Sequence, residues 1–155
     1  SNMSKPYHQA AFTLIEVMVA VVIIGILLAT AVPSYQQYVI RGNRANMQAQ
    51  MLTIASALER YRAQNFRYLG ATLTNTGIYG GAVFPLQGQA HYSLQLTGDN
   101  TDGTPNTTWV LTAKATSNTQ KQDGVIMLNS IGQRCWLQGA ATTTCTLGNA
   151  AQGWN

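Results

Sequence analysis

Charged residues are scarce in this chain: of 155 residues, only 9% are Asp, Glu, Lys or Arg, against about 25% in a typical soluble domain. Nine basic and five acidic residues give a net charge of +4, which is far from the basic stripe of a dedicated nucleic-acid binder. Hydrophobic residues make up 46%, and this share excludes a mainly disordered chain. A weakly charged surface on a chain about one domain long is typical of a protein that packs against copies or partners.

The sequence also lacks the residue patterns of common catalytic sites. It has two histidines, His8 and His91, and five acidic residues. It contains no G-x-S-x-G elbow, no phosphate-binding loop and no H-E-x-x-H zinc motif. These residues are too few and too dispersed to assemble an acid–base or nucleophilic centre. We therefore expect a protein that is not an enzyme and that uses no metal or cofactor.

Cysteine is limited to Cys135 and Cys145. Two cysteines without nearby histidines do not make a structural zinc site. In an exported protein the pair would form a disulfide that closes a short loop, which on a chain-entropy estimate stabilises a fold by about 3 kcal/mol. In a reducing cytosol the two would be buried thiols, so the compartment decides their chemistry.

The feature that bears on the compartment is a hydrophobic segment, residues 12–32, which carries one charge, Glu16. A helix of this length would span about 30 Å, the hydrocarbon thickness of a bilayer. A secretory signal peptide, cleaved at the small residues Ala29 and Ala31, would have a shorter apolar run without an acid inside it. A plain membrane anchor is the other interpretation. It leaves Glu16 without a role, whereas a carboxylate at membrane depth is by default functional.

A third interpretation comes from the residues AFTLIEVMVAVVIIGILLATAVPSYQQY, which begin at Ala11. They resemble the N-terminus of type IV pilins and their pseudopilin relatives. The later segment DGVIMLNSIGQRCW, residues 123–136, resembles the strand-and-cysteine region of PilE-like minor pilins in particular. Phe12 to Glu16 match the start of the mature chain in that family, and Gly25 and Pro33 match its small residue and its proline. Ser1 and the following Asn look like the scar of a cleaved tag, and the residues up to 11 correspond to a leader.

The resemblance implies a processing site and an assembly pair. In that family a prepilin peptidase cleaves before the phenylalanine and methylates the new amine, which implies cleavage between Ala11 and Phe12. Ala11 stands where the family usually has glycine. Glu16 of an incoming subunit would then pair with the Phe12 amine of a neighbour, because a carboxylate and an ammonium attract strongly where the dielectric constant is low. Pro33 is expected to kink the helix without ending it.

Beyond Pro33 the hydrophobic pattern predicts that the helix continues to about residue 66. Its apolar face consists of residues three, four or seven apart: Ile40, Met47, Met51, Ile54, Leu58 and Tyr61. A long loop is predicted over 66–89, followed by strands at 91–98, 108–117 and 124–130 and by Cys135 after a turn. The segment with Asp99 and Asp102 is interpreted as a turn, because it lacks the ligand spacing of a calcium loop.

We therefore predict an α+β protein with the type IV pilin fold that the resemblance implies. Its long N-terminal helix has a membrane-spanning half and an amphipathic half, and it packs on an antiparallel sheet of about 3–4 strands. Cys135 and Cys145 would close the C-terminal region by a disulfide. The expected organisation is a scar and leader over 1–11, a hydrophobic helix over 12–38 and a headpiece over 39–155.

The function that the resemblance implies is that of a structural subunit of a type IV pilus. It would be a minor pilin that joins or helps to initiate the filament in twitching motility, adhesion or DNA uptake. Its partners would be major and minor pilins, the prepilin peptidase and the assembly platform. It would lie in the inner membrane with its headpiece in the periplasm, and then in a surface pilus.

Two alternatives remain, a pseudopilin of type II secretion and a DNA-binding receptor pilin for natural transformation. DNA is a possible partner that we do not favour from the sequence. The arginines do not alternate with aromatic residues on one face; they are Arg41, Arg44, Arg60, Arg62 and Arg67.

Overall fold

A single long helix, α1, runs over Leu14–Asn65 in the computed structural model. The structure describes residue 3, residues 10–98 and residues 107–154. The predicted turn with Asp99 and Asp102 and most of the predicted leader lie outside the described residues. The chain divides into two compact units, one up to Tyr38 and one from Val39, and α1 contributes residues to each.

The start and the end of α1 have local causes. The Thr13 hydroxyl oxygen accepts a hydrogen bond from the Glu16 N–H at 3.3 Å, which satisfies one of the donors that a helix start leaves open. The helix continues through Pro33, and the kink there stays a prediction. It ends where Phe66 takes a φ of 64° and its N–H donates to the carbonyl oxygen of Arg62 at 2.6 Å.

The sheet has five antiparallel strands that are neighbours in chain order. They are β1 (Val83–Phe84), β2 (Tyr92–Gly98), β3 (Trp109–Ala115), β4 (Val125–Asn129) and β5 (Arg134–Leu137). β2 to β5 correspond to the predicted strands and to the segment around Cys135, so the predicted number of 3–4 is too low by one. The additional strand, β1, lies in the predicted loop over 66–89, where Val83 is paired with Ser93. Two residues are too few to show an alternating pattern.

The core of the second unit lies between α1 and one face of the sheet. Four residues of the predicted apolar helix face are fully buried, and they are Met47, Met51, Ile54 and Leu58. The register aligns Leu94 with Ala113 and Ala113 with Ile126, which places these three side chains on the same face. All of these residues belong to one hydrophobic cluster. The predicted packing of the amphipathic half of the helix on an antiparallel sheet is confirmed.

The C-terminal segment, residues 138–154, is tied to the sheet at several points, among them a disulfide and two hydrogen bonds. A disulfide joins Cys135 of β5 to Cys145, as the resemblance implied. The Lys114 ammonium donates to the carbonyl oxygen of Ala140 at 2.9 Å. The Trp154 indole N–H donates to the carbonyl oxygen of Cys135 at 2.9 Å. The C-terminal region is therefore held against β3 and β5 by covalent and polar links together.

Candidate functional site

Glu16, the predicted assembly residue, lies in the first turn of α1 and is exposed. Thr13 and Glu16 have the spacing of a capping box, a signal that the sequence analysis did not use, and the Thr13 half of that motif is formed. An acid in the first turn also interacts favourably with the helix dipole. Glu16 therefore helps to start the helix. Its assembly role, the amine of Phe12 and cleavage after Ala11 stay predictions.

The N-terminal half of α1 presents a continuous apolar surface. Every residue from 12 to 32 is exposed, and Glu16 is the one charge among them. By length and composition α1 could cross a membrane. An apolar surface of this extent is covered by lipid or by protein in a working molecule.

In the second unit, a buried polar cluster joins α1 to the turn before β4. The Arg44 Nε lies 3.3 Å from the Asp123 Oδ2, and its guanidinium lies 3.8 Å from the centre of the Trp136 ring. The Tyr92 hydroxyl donates to the same carboxylate oxygen at 2.9 Å, and the Gln120 amide donates to the Tyr92 hydroxyl at 2.9 Å. Arg44 therefore makes contacts inside the headpiece. The other four arginines of the group named from the sequence are exposed.

Burial sets the proton affinities in this cluster. It raises the pKa of the Asp123 carboxyl above its usual range, although the hydrogen bond from Tyr92 and the charge of Arg44 act in the opposite direction. Burial also raises the pKa of the Tyr92 hydroxyl, and the neighbouring Asp123 charge adds to the effect. Among the described residues, the second carboxylate oxygen of Asp123 has no hydrogen-bond partner. The cluster therefore holds a carboxylate in a position where its charge is costly without Arg44.

A second group of polar residues lies at the C-terminal end of α1. Arg60, Arg62, Phe66 and Arg67 are all exposed, and we call them the helix-end cluster. Phe66 is 90% exposed, which is unusual for a residue of its size. Phe66 lies at the predicted end of the helix and was not predicted as a functional residue. The sequence feature that could have indicated it is its position between Arg62 and Arg67.

A cleft of about 390 Å³ adjoins the helix-end cluster. Its lining includes Arg60, Gln64, Asn65 and Asn75, so guanidinium and amide groups provide most of the polar chemistry there. Within the described residues no three His, Cys, Asp or Glu side chains group together as metal ligands do. The cleft is suited to a ligand that accepts and donates hydrogen bonds and carries negative charge.

Two family models match the chain. Residues 33–128 match the family described as "Type IV minor pilin ComP, DNA uptake sequence receptor". Residues 7–32 match the family described as "Prokaryotic N-terminal methylation motif". The first match covers more than half of the chain, and the second covers the segment that contains Phe12 and Glu16.

Individual relatives are similar over part of the chain. The type II secretion system core protein G of Pectobacterium carotovorum subsp. carotovorum is 36% identical over 62 residues, 40% of each chain. The type IV major fimbrial protein FimA of Dichelobacter nodosus is 43% identical over 51 residues, 33% of each chain, so the chain spans less than half the length of these relatives. A fimbrial protein of Pseudomonas aeruginosa is 32% identical over 99 residues, 62% of this chain and 64% of that one. A solved type IV pilin from Shewanella oneidensis aligns over 69% of this chain and 99% of that one, with 22% identity and a TM-score of 0.43.

Proposed function

The chain belongs to the family of type IV minor pilins described as ComP, DNA uptake sequence receptor, and from this premise we propose how its residues serve a pilus subunit. The observation that carries the proposal is the exposed apolar half of α1 with one charge, Glu16, near its start. A helix of this kind can be stored in a bilayer and can later be packed among like helices. The role is structural rather than catalytic.

In the proposed assembly, the leader is removed between Ala11 and Phe12 by the prepilin peptidase, and the Phe12 amine is methylated. The subunit waits in the inner membrane with its headpiece in the periplasm. The assembly platform then moves it into a surface filament with major and minor pilins. Burial of the apolar half of α1 against other helices keeps its surface away from water, so extraction from lipid does not oppose the full hydrophobic effect.

Mass spectra of the native protein test this proposal, taken separately from sheared surface filaments and from the cell envelope. We expect the filament fraction to contain a chain that begins with a methylated Phe12 and retains the disulfide between Cys135 and Cys145. A chain that begins near Val32 would instead indicate an ordinary secreted protein. A Phe12 start found only in the envelope would indicate a type II secretion pseudopilin, and a retained Met3 leader found only in membranes would indicate an anchored domain.

A second candidate function is that of a DNA receptor in natural transformation. It is supported by the description of the matched family and by three exposed arginines, Arg60, Arg62 and Arg67, that lie close together in the chain. The family match gives this alternative more weight than the sequence analysis gave it. Phosphates of DNA would be the groups that these side chains bind.

Salt dependence tests the DNA-receptor function in the full chain, held in a non-ionic detergent. If three arginines contact phosphates, the slope of log affinity against log salt is about −2.7, which is about a fortyfold loss between about 50 and about 200 mM salt. Fluorescence anisotropy of a labelled duplex measures it. Absence of binding at low salt would contradict the DNA-receptor function and leave the structural function intact.

A further inference from the structure

We propose that the start of the headpiece binds the anionic headgroups of phospholipids through two exposed cations, Arg41 and Lys121, which we call the basal cations. The lipid site depends on the proposed storage of the subunit in the inner membrane. It adds a contact between the headpiece and the lipid surface to the anchoring by residues 12–32. The fold brings both cations to one side of α1, and no described carboxylate neutralises them.

Lys121 is held beside the start of the headpiece by the residue that precedes it. The Gln120 amide donates to the carbonyl oxygen of Ile40 at 2.9 Å, and the Asn43 amide donates to the Gln120 side-chain oxygen at 3.1 Å. Gln120 is fully buried, so these two bonds belong to the packed interior. The short 3₁₀ helix over Lys121–Asp123 therefore lies against the first headpiece residues of α1.

Arg41 lies on the face of α1 against which this short helix packs. Residues three apart in a helix are neighbours, with Cβ atoms about 5–6 Å apart, so Arg41 is next to Arg44. The Arg44 side chain contacts Asp123, the last residue of the short helix. Arg41 is one turn earlier in α1 and is exposed, as Lys121 is. The two basal cations therefore lie on the same side of α1.

The basal cations have no carboxylate close to them that could neutralise their charge. In the described part of the headpiece, residues 39–98 and 107–154, the acids are Glu59 and Asp123. The Asp123 side chain is 1% exposed and is paired with Arg44. Glu59 is 18 residues after Arg41, which corresponds to about 27 Å of helix. Near an anionic lipid surface, each such cation strengthens binding about fivefold.

The length of α1 brings Arg41 to the level of the lipid headgroups. Arg41 is nine residues after Val32, where the apolar segment ends, and nine residues of helix rise about 14 Å. The headgroup layer is about 5–8 Å thick, and the field of its charges extends about 8 Å farther at physiological ionic strength. The side chain also leans toward the N-terminus of its helix. The Arg41 guanidinium is therefore within this field when residues 12–32 span the hydrocarbon.

The residues between the apolar segment and Arg41 are consistent with this depth. Tyr35 and Tyr38 are both exposed, and tyrosine is enriched where a helix passes from hydrocarbon into water. Along the chain, the apolar segment is followed by these two tyrosines and then by Arg41. This order is typical of a helix that leaves a membrane through a layer of headgroups.

Native mass spectrometry of the full chain in a non-ionic detergent tests the site. It counts the lipids retained from an equal mixture of phosphatidylglycerol, which is anionic, and phosphatidylcholine, which has no net charge. We expect the wild type to prefer phosphatidylglycerol about tenfold or more, and Arg41→Gln and Lys121→Gln each to lower this preference about fivefold. Arg41→Lys keeps the charge and should keep the preference. Arg60→Gln is the matched control, because Arg60 is an exposed arginine of the same helix, 19 residues farther on.

A second measurement places the contact in a bilayer that contains the full chain. Lys121 should react more slowly with a water-soluble acylating reagent in bilayers with phosphatidylglycerol than in bilayers of phosphatidylcholine alone. Lys114 is the internal control, because its ammonium donates to the carbonyl oxygen of Ala140 and should react at the same rate in both. Equal rates for Lys121 in the two bilayers would contradict the lipid contact.

The possible outcomes separate the lipid site from membrane storage. If the wild type enters bilayers but retains both lipids equally, the lipid site is wrong and membrane storage stands. If the wild type does not enter bilayers, both are wrong. A preference that Arg60→Gln lowers as much as Arg41→Gln would reflect net charge alone and overturn the site. Normal lipid retention by the Arg41 and Lys121 variants, with a loss of protein from filaments, would make the basal cations a subunit contact and also overturn it.

Discussion

Glu16→Gln is expected to lower the amount of this subunit in sheared filaments by about a hundredfold or more, because an unpaired buried charge costs about 3–5 kcal/mol. The charge left unpaired would be the Phe12 amine of the neighbouring subunit. The amount of protein in the membrane should not change, since loss of a charge makes residues 12–32 more apolar. Quantitative immunoblots of the filament and membrane fractions measure both amounts.

The substitution by glutamine is informative because Glu16 also occupies a capping position. Glutamine keeps a hydrogen-bonding side chain at the capping-box position and removes only the charge, whereas Glu16→Ala removes the whole side chain; both variants keep the bond from the backbone N–H of residue 16 to the Thr13 hydroxyl. Thr13→Val removes the hydrogen bond from the Thr13 side chain, at a cost of about 1 kcal/mol, and keeps the Glu16 charge. If charge pairing drives assembly, Glu16→Gln and Glu16→Ala should be equally defective and Thr13→Val nearly normal. Normal incorporation of Glu16→Gln would refute the pairing.

The parts of the fold that the sequence predicted well are those in which many residues repeat one pattern. Met47, Met51, Ile54 and Leu58 recur at helical spacing, and all four are buried, because one helix face meets one sheet face. β1 was missed because its two residues have no pattern of their own. They become a strand only through pairing with β2, which is a tertiary interaction.

The candidate functional residues also differ in whether the sequence alone could identify them. Glu16 could be singled out from the sequence, because a lone acid in an apolar segment is visible without a structure. Arg44 could not be separated from the exposed arginines, since its burial depends on Asp123 and Trp136, far along the chain. Sequence patterns identify the residue types, and long-range packing decides which of them remain accessible.

Arg44→Met is expected to destabilise the headpiece by about 3 kcal/mol near neutral pH, because it leaves a buried carboxylate without its cation. Arg44 is 12% exposed and Asp123 is 1% exposed at the side chain, so water cannot replace the lost charge easily. Urea unfolding of the full chain, followed by tryptophan fluorescence, measures the change. All three tryptophans lie in residues 39–155, and Trp136 stacks against Arg44 itself.

The loss should depend on pH in a direction that the pKa of Asp123 determines. This pKa is already raised by burial, and the charge of Arg44 lowers it, so Arg44→Met raises it further. A carboxyl whose pKa is higher in the folded state takes up a proton on folding, and stability then falls as the pH rises through the folded pKa. The destabilisation by Arg44→Met should therefore be smaller near the usual carboxyl pKa of about 4 than near pH 7, by roughly 1 kcal/mol or more.

Two further variants isolate the buried charge as the cause. Arg41→Met removes an exposed arginine from the same part of α1 and should change stability by less than about 0.5 kcal/mol. Arg44→Met combined with Asp123→Asn leaves no charge in the cluster, so it should be more stable near neutral pH than Arg44→Met alone. A loss in Arg44→Met that is equal at all pH values, and that Asp123→Asn does not reduce, would assign the role of Arg44 to its packing on Trp136. If the pH dependence is observed, the conclusion is the opposite one. The charge pair of Arg44 and Asp123, and not packing alone, then holds α1 to the turn before β4.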